Sequence, residues 1–221
     1  EQAVHLARLI LEQPNLQLDA LMGYEAQIAG VGDKVPGRGL MNTVIQFLKQ
    51  RSIPKIAQRR EAAVKGIEAL GAKLTVVNAG GTGSIESSKQ EAVVTEVTAG
   101  SGFYTSHLFD NYANFRHQPA IGFAVEITRH PTPDIWTCLG GGYTASGPVE
   151  SDKGVQPWLP LGAKLTKNEQ AGEVQTPVIY TGPEHLKIGD PIFFRHAKAG
   201  EICERFKTLL LVKNGKVVDE V

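Results

Sequence analysis

Two glycine-rich turns contain the residues of this chain best suited to chemistry. The first is Gly80-Gly-Thr-Gly-Ser84 and the second is Gly100-Ser-Gly-Phe-Tyr104, and each follows an apolar, β-branched run. Glycine lets the backbone take positive φ values and lets a ligand approach closely. Peptide N–H groups beside hydroxyl side chains form a concave set of donors that suits an anion. The tandem of turns therefore predicts a two-sided site for one phosphate group.

Known phosphate-binding motifs narrow this interpretation. The first turn lacks the Gly-x-Gly-x-x-Gly spacing of dinucleotide-binding folds, and no acidic residue ends the following strand at the ribose position. No Gly-Lys-Ser/Thr follows, which argues against a P-loop. A glycine turn taken alone is equally typical of a tight turn without a ligand. In a (β/α)₈ barrel, however, the loops after the last two strands form a recurrent phosphate site.

Helix and strand patterns alternate in the first half of the chain. Apolar spacing predicts a helix before Pro14, a strand over 16–22, and a helix from Leu40 that Pro54 breaks or restarts. The strands that lead into the two glycine turns follow. Such alternation predicts a parallel sheet or barrel over residues 1–118.

Helical periodicity disappears after about Gln118, and short apolar runs alternate with turns rich in proline and glycine. Asn214-Gly215 between two apolar runs is a strong hairpin signal. The second half is therefore predicted to be an all-β domain over residues 119–221. Its predicted strands are 123–128, 135–138, 178–180, 191–194 and 209–212.

Composition excludes several classes of function. The 23 basic and 23 acidic residues give zero net charge, which predicts no nucleic-acid or membrane partner. No apolar run reaches the roughly 20 residues that span a bilayer. Two cysteines are too few for a disulfide framework. A cytoplasmic protein with a small-molecule substrate is the expectation.

Further motifs occur in a fixed order along the chain. They are Tyr24-Glu-Ala-Gln27, Glu96 to Thr98, Leu108-Phe-Asp110, Cys138-Leu-Gly-Gly-Gly-Tyr143, Glu184-His185, Gly189-Asp190 and Arg195-His196. With the glycine turns, the series resembles the fold-type III pyridoxal-phosphate enzymes, in the branch of D-serine dehydratases and D-threonine aldolases. The resemblance implies the C-terminal portion of an alanine-racemase-like (β/α)₈ barrel followed by a β domain.

The resemblance also implies an activity. It indicates a pyridoxal-phosphate-dependent lyase for D-3-hydroxy amino acids such as D-serine or D-threonine, working as a homodimer. An amino-acid racemase of the same fold and a non-catalytic pyridoxal-phosphate-binding relative stay open as alternatives. The family's Schiff-base lysine, by resemblance, precedes Glu1, so this stretch alone is expected to be inactive.

The resemblance assigns roles to individual residues. Tyr24 and Gln27 are expected at the barrel mouth near cofactor or substrate, with Tyr24 in a catalytic role. Thr98 falls where related racemases place an arginine and decarboxylases a glutamate, and a neutral residue fits neither pattern. The backbone of eight residues is expected to hold the cofactor phosphate, with Gly81, Thr82, Gly83 and Ser84 on one side and Gly100, Ser101, Gly102 and Tyr104 on the other.

The resemblance implies a divalent metal on a His-x-Cys or His-x-Asp pair, but this chain has His196-Ala197-Lys198 there. An ammonium group is a poor ligand and repels a cation, so metal retention is doubtful and no metal ligand is assigned. Cys203 is able to approach the metal position beside His196 only if its loop folds back. His196 is expected to act as a general acid or base. Lys198 is expected to supply positive charge in place of the ion.

Overall fold

A computed structural model describes residues 1–147, 152–198 and 200–221. It divides into two compact units, one formed by residues 1–100 and 109–116, the other by residues 101–108 and 117–221. These limits differ from a single break at residue 118. The segment 101–108, which contains most of the second glycine turn, belongs with the β-rich unit.

The first unit contains four helices and a three-stranded sheet among its described residues. Their bounds are α1 Gln2–Leu11, β1 Ala20–Gly23, α2 Ala26–Ala29, α3 Gly39–Glu68, β2 Val76–Ala79, α4 Ile85–Ser88 and β3 Glu96–Val97. The strands pair in parallel in the order β1-β2-β3, as the alternating pattern predicted.

The two faces of this sheet differ in burial. Val77 and Ala79 are buried on one face. Met22 and Thr98 lie on the other face, where Met22 is 77% exposed. Among the described residues, the outer edges of β1 and β3 pair with no further strand. The three strands thus have the open face and free edges of an incomplete barrel wall.

Pro54 does not break α3, so the prediction of a break there was wrong. The helix runs for 30 residues through Pro54, whose ring is exposed. Proline leaves the carbonyl four residues earlier without its helical partner. That residue, Gln50, is also exposed, so water is able to satisfy the carbonyl. The good helix formers on both sides and the packing of α3 against α1 outweigh the remaining cost.

The second unit is built from antiparallel strands. A six-stranded sheet has the order β6-β9-β4-β5-β8-β7, and β10 and β11 form a separate hairpin. The strand bounds are β4 Phe123–Thr132, β5 Ile135–Leu139, β6 Gln156–Leu159, β7 Lys164–Leu165, β8 Gln175–Ile179, β9 Pro191–Arg195, β10 Leu210–Lys213 and β11 Lys216–Glu220. Short 3₁₀ helices occupy Ser101–Phe103, His107–Asn111 and Glu201–Glu204.

Alternating burial explains why the long strands were recognisable from sequence. Phe123, Val125 and Ile127 of β4 point into the core, while the residues between them are exposed. The core continues through Cys138 and Phe194, both fully buried. This period of two is what a sheet with one packed face requires.

Two short strands, β6 and β7, were not predicted. Pro157 lies within β6, and proline normally argues against a strand because it lacks an N–H donor. It is tolerated here because β6 is an edge strand of the sheet. The predicted hairpin is confirmed, with Asn214 and Gly215 both at positive φ between β10 and β11. In the described ranges, no helix is both long and apolar enough to cross a membrane.

Candidate active site

The carboxyl ends of β1, β2 and β3 meet at one edge of the parallel sheet. Gly23 pairs with Ala79, and Ala79 pairs with Val97. Each strand therefore delivers its following residues to the same edge, the usual location of active sites in such sheets. Tyr24, Gly80 and Thr98 are the residues delivered there.

The first glycine turn is a closed structure at the end of β2. Gly80 has a φ of +85°. The Gly81 N–H donates to Ser84 Oγ at 3.1 Å, and the Ser84 N–H donates to the Gly81 carbonyl at 2.9 Å. Two of the four amides that the resemblance assigns to a phosphate are thus engaged within the turn. The Gly83 amide has no partner among the described residues.

Packing restricts two positions of this turn, by backbone at Gly83 and by the exposed Tyr24 ring, which is able to move, at Gly81. A Cβ on Gly81 would lie 2.7 Å from the Tyr24 ring, and one on Gly83 would lie 2.5 Å from the Ala29 carbonyl oxygen. Real Cβ atoms essentially never come so close. The residues present thus fit a phosphate held by backbone and hydroxyl groups, since no side chain fits at Gly83. Tyr24 itself is 60% exposed, and Gln27 is exposed beside it.

A buried charge network lies behind the turn, and sequence analysis did not identify it. Arg60 of α3 donates to the carboxylates of Glu25 and Glu91. Glu25 also accepts a hydrogen bond of 3.1 Å from Ser84 Oγ. The network joins α3 to the residue after Tyr24 and to the glycine turn. The only sequence signal was the placement of Glu25 directly after a strand end.

A second buried ion pair fixes the loop after α2. Lys49 Nζ lies 2.9 Å from Asp33 Oδ2, and both side chains are buried. Asp33 also accepts a hydrogen bond from the Ala113 N–H at 2.8 Å. The Lys49 ammonium lies 4.6 Å from the centre of the Tyr112 ring. Tyr112 donates to the Ala29 carbonyl at 2.5 Å. The Lys49–Asp33 pair therefore helps to position Tyr112 and Ala29, the two residues that pack against Gly83.

Thr98 lies on the open face of the sheet. Its hydroxyl accepts a hydrogen bond of 2.8 Å from Asn78 Nδ2, which also donates to Glu96 Oε1 at 2.6 Å. Asn78 and Thr98 are uncharged, and the Glu96 carboxylate is paired with the Asn78 amide. These hydrogen bonds bring no cation next to Thr98 on this strand pair. That Thr98 lies beside a cofactor ring stays a prediction.

The second glycine turn crosses the limit between the units. Gly100 ends the first unit, and Ser101, Gly102 and Tyr104 belong to the second. Within the second unit, Ser101–Phe103 is a 3₁₀ turn whose Ser101 carbonyl accepts the Tyr104 N–H at 3.2 Å. That this turn holds the same phosphate as residues 81–84 stays a prediction.

A cavity of about 270 Å³ lies in the second unit, and it contains His196 and Lys198. His196 is 3% exposed, and neither ring nitrogen has a hydrogen-bond partner. Lys198 Nζ donates to Ser146 Oγ at 3.0 Å and to the Ser146 carbonyl at 3.3 Å. The Glu201 carboxylate accepts the Ser146 N–H at 2.9 Å. Ser146 and Glu201 were not identified from sequence.

Burial keeps His196 neutral. Loss of solvent, followed by the nearby His107 and Arg195, lowers the pKa of His196 from 6.5 to about 4, against the opposing effect of Glu201. A neutral imidazole at pH 7 has one free acceptor and one free donor. His196 is therefore equipped to take up or pass on a proton in the cavity.

The donor set of this cavity does not fit a divalent metal. Over the residues that the structure describes, no group of three His, Cys, Asp or Glu side chains is placed to hold an ion. Lys198 stands two residues after His196 with its ammonium inside the cavity wall. Cys203 is exposed and does not line the cavity.

Comparison with known proteins reveals the fold. No protein-family model matches the chain, and a search of curated proteins found no match. Among solved structures, D-threonine aldolase from Filomicrobium marinum superimposes with a TM-score of 0.79 at 13% identity, over 98% of this chain and 55% of that one.

Two further structures have the same fold. D-threo-3-hydroxyaspartate dehydratase from Delftia sp. HT23 gives a TM-score of 0.66 at 16% identity, over 98% of this chain and 58% of that one. Alanine racemase of Clostridium difficile 630, in complex with cycloserine, gives 0.55 at 13% identity, over 100% of this chain and 60% of that one.

These similarities define the class of fold. The chain has the alanine-racemase-like fold that these structures share, with an α/β unit and an all-β unit, as the motifs predicted. It spans a little more than half the length of the solved structures that it matches. At 13–16% identity the similarity establishes the fold and leaves the reaction to other arguments.

Proposed function

We propose that the full-length protein is a pyridoxal-phosphate-dependent lyase that acts on D-3-hydroxy amino acids. The observation that carries this proposal is the packed glycine turn at the end of β2, next to an exposed and uncharged Thr98. The fold supports it, since the TM-score is 0.79 with the aldolase, 0.66 with the dehydratase and 0.55 with the racemase.

Residues of the first unit would bind and orient the cofactor. Backbone and hydroxyl groups of residues 81–84 would hold the phosphate, with the Gly83 amide the one best able to donate. Thr98 would lie beside the pyridine ring, with Tyr24 and Gln27 at the rim. Pyridoxal phosphate, when bound, supplies an electron sink for bond cleavage at the substrate's Cα. The open strand face leaves room for the ring on the Thr98 side.

Residues of the second unit would manage the substrate's 3-hydroxyl. Neutral His196 is able to accept the hydroxyl proton, as retro-aldol cleavage requires, or to pass a proton to a departing hydroxide, as dehydration requires. The Lys198 ammonium would stabilise the oxygen as negative charge develops on it. Ser146 holds that ammonium in place.

Product analysis of the full-length protein tests the proposal. With pyridoxal phosphate, D-threonine should yield glycine and acetaldehyde if the protein is an aldolase. D-serine and D-threonine should yield pyruvate and 2-oxobutyrate if it is a dehydratase. The L-enantiomers serve as matched controls and should give neither set of products.

Two outcomes would contradict the lyase. Interconversion of D- and L-alanine with no keto acid or aldehyde would identify a racemase. Visible absorbance of bound pyridoxal phosphate without turnover of any of these amino acids would identify a non-catalytic binding protein. The predicted homodimer and cytoplasmic location remain part of the proposal, and size-exclusion chromatography with light scattering tests the first.

A further inference from the structure

The cavity around His196 is organised by a lysine where the resemblance implies a metal ligand. We propose that Lys198 excludes a divalent ion from this cavity and that its ammonium provides the positive charge there instead. The chemical occupant is then a hydroxyl or oxyanion of the ligand, bound directly by His196 and Lys198. That this oxygen is the substrate's 3-hydroxyl rests on the proposed function.

The first support is the unsatisfied histidine. Both ring nitrogens of His196 lack a partner although the residue is 3% exposed. Buried polar atoms are nearly always hydrogen-bonded, so a histidine that lines a cavity with both nitrogens unpaired has hydrogen-bonding capacity that a ligand or water is able to satisfy. A hydroxyl group fits, because it both donates and accepts, as does a neutral imidazole.

The second support is the fixed position of the lysine. An ammonium has three donors, and Ser146 takes up two of the contacts at 3.0 and 3.3 Å. Ser146 is in turn held by the Glu201 carboxylate. The ammonium is therefore hydrogen-bonded to another residue that lines the cavity. An ammonium offers no lone pair to a metal and repels it.

The third support is the lack of substitute ligands. Glu201 accepts the Ser146 N–H, and Cys203 is exposed and is not among the residues that line the cavity. A structure of the D-threo-3-hydroxyaspartate dehydratase with one cysteine changed to alanine is described as a metal-free form. Here a lysine stands where the His-x-Cys pattern has its cysteine.

Metal binding by the full-length protein tests the proposal without reference to activity. Wild type and Lys198→Cys would be dialysed against EDTA, then titrated with Zn²⁺ by calorimetry and analysed for retained zinc. Wild type should retain no stoichiometric zinc. Lys198→Cys should bind zinc tighter by on the order of 100-fold, since it creates a thiolate two residues after an imidazole.

Two control variants make the result specific. Lys207→Cys places the same thiol on an exposed lysine outside the cavity and should bind zinc no better than wild type. His196→Ala combined with Lys198→Cys should lose the gain. Near-UV circular dichroism confirms that each variant is folded. One equivalent of zinc on wild type that His196→Ala removes would overturn the proposal, and so would equal zinc affinity in Lys198→Cys and Lys207→Cys.

The charge on Lys198 has its own kinetic test, which applies once lyase turnover is observed. Lys198→Met should lower kcat with little change in KM, because stabilisation of a developing oxyanion acts in the transition state. Lys198→Arg should restore part of kcat. EDTA should leave the wild-type rate unchanged. A rise in KM alone, or loss of activity in EDTA, would contradict the role.

Discussion

The two units treat their buried charged and polar groups in opposite ways. In the first unit, Arg60 is shared between Glu25 and Glu91, and Glu25 also accepts from Ser84. In the second, His196 is equally buried but has no partner and borders a cavity. A network in which every buried charge is paired fixes backbone positions, because breaking it leaves an unpaired buried charge. An unsaturated group beside a cavity is prepared for a ligand.

The largest expected effect is the loss of Arg60. Arg60→Met should destabilise the full-length protein by about 3–5 kcal/mol, because it leaves two buried carboxylates unpaired. Lys65→Met is the matched control, since Lys65 pairs with Glu61 at the exposed surface and its loss should change the stability far less. Urea unfolding followed by circular dichroism measures both. Equal effects would show that the network does not carry the stability of the first unit.

The glycine turn should tolerate no side chain at position 83. Gly83→Ala should cost about 1–3 kcal/mol, because its Cβ would overlap the Ala29 carbonyl and the Tyr112 ring. Gly39→Ala, at an exposed helix start with open space around it, should be neutral or slightly stabilising. Thermal unfolding of the two variants side by side checks the difference, and a stable Gly83→Ala protein would contradict the packing described here.

Because of His196, the stability of the folded protein should decrease as the pH is lowered. Its pKa is lowered from 6.5 to about 4 by burial and by His107 and Arg195, with Glu201 opposing. Between these values the unfolded chain binds a proton that the folded chain does not, so unfolding becomes easier as pH falls from about 6.5 to about 4. The loss should be at most about 2 kcal/mol after allowance for solvent screening.

A non-titrating variant isolates this contribution. His196→Gln should have a flatter stability profile between pH 4 and 6.5 than wild type, measured by urea unfolding at several pH values. His185→Gln, which alters a solvent-exposed histidine in the same unit, should leave the slope as it is in wild type. A profile unchanged by His196→Gln would remove the histidine from the pH dependence.

The smallest expected effect concerns the hydroxyl that joins the network to the turn. Ser84→Ala should cost about 1 kcal/mol of stability and weaken pyridoxal phosphate binding more than pyridoxal binding, since only the former carries the phosphate. Ser87→Ala removes a hydroxyl that bonds the Ser84 carbonyl and serves as control. Equal losses for both ligands would indicate a structural role without phosphate contact.

Sequence patterns predicted the parts of the fold that local chemistry decides. The glycine turn at Gly80, the alternating strand that contains Val125 and the hairpin at Asn214 all follow from residues within a few positions of one another. The charge network was not predictable, because Glu25 and Arg60 are 35 positions apart and meet only in the tertiary fold. Pro54 was misjudged for the related reason that packing along α3 outweighs a local preference.

The candidate site shows the same division. His196 and Lys198 were singled out because a lysine occupies the second position of the His-x-Cys or His-x-Asp pattern that the resemblance implies. Ser146, which bonds Lys198, lies 52 positions away in the sequence, and Glu201, which bonds Ser146, begins a short 3₁₀ helix; neither has a pattern of its own. Their contribution depends on a loop geometry that no single-residue preference specifies.

The different surroundings of the two cysteines offer a chemical handle. Burial raises the pKa of the Cys138 thiol to about 12, so that sulfur stays protonated and out of reach of reagents. Cys203 is exposed and follows Ile202, which lines the cavity. A maleimide dye added to the folded chain would thus react with Cys203 and not with Cys138. Its fluorescence would report, in real time, on ligands that bind in the adjacent cavity.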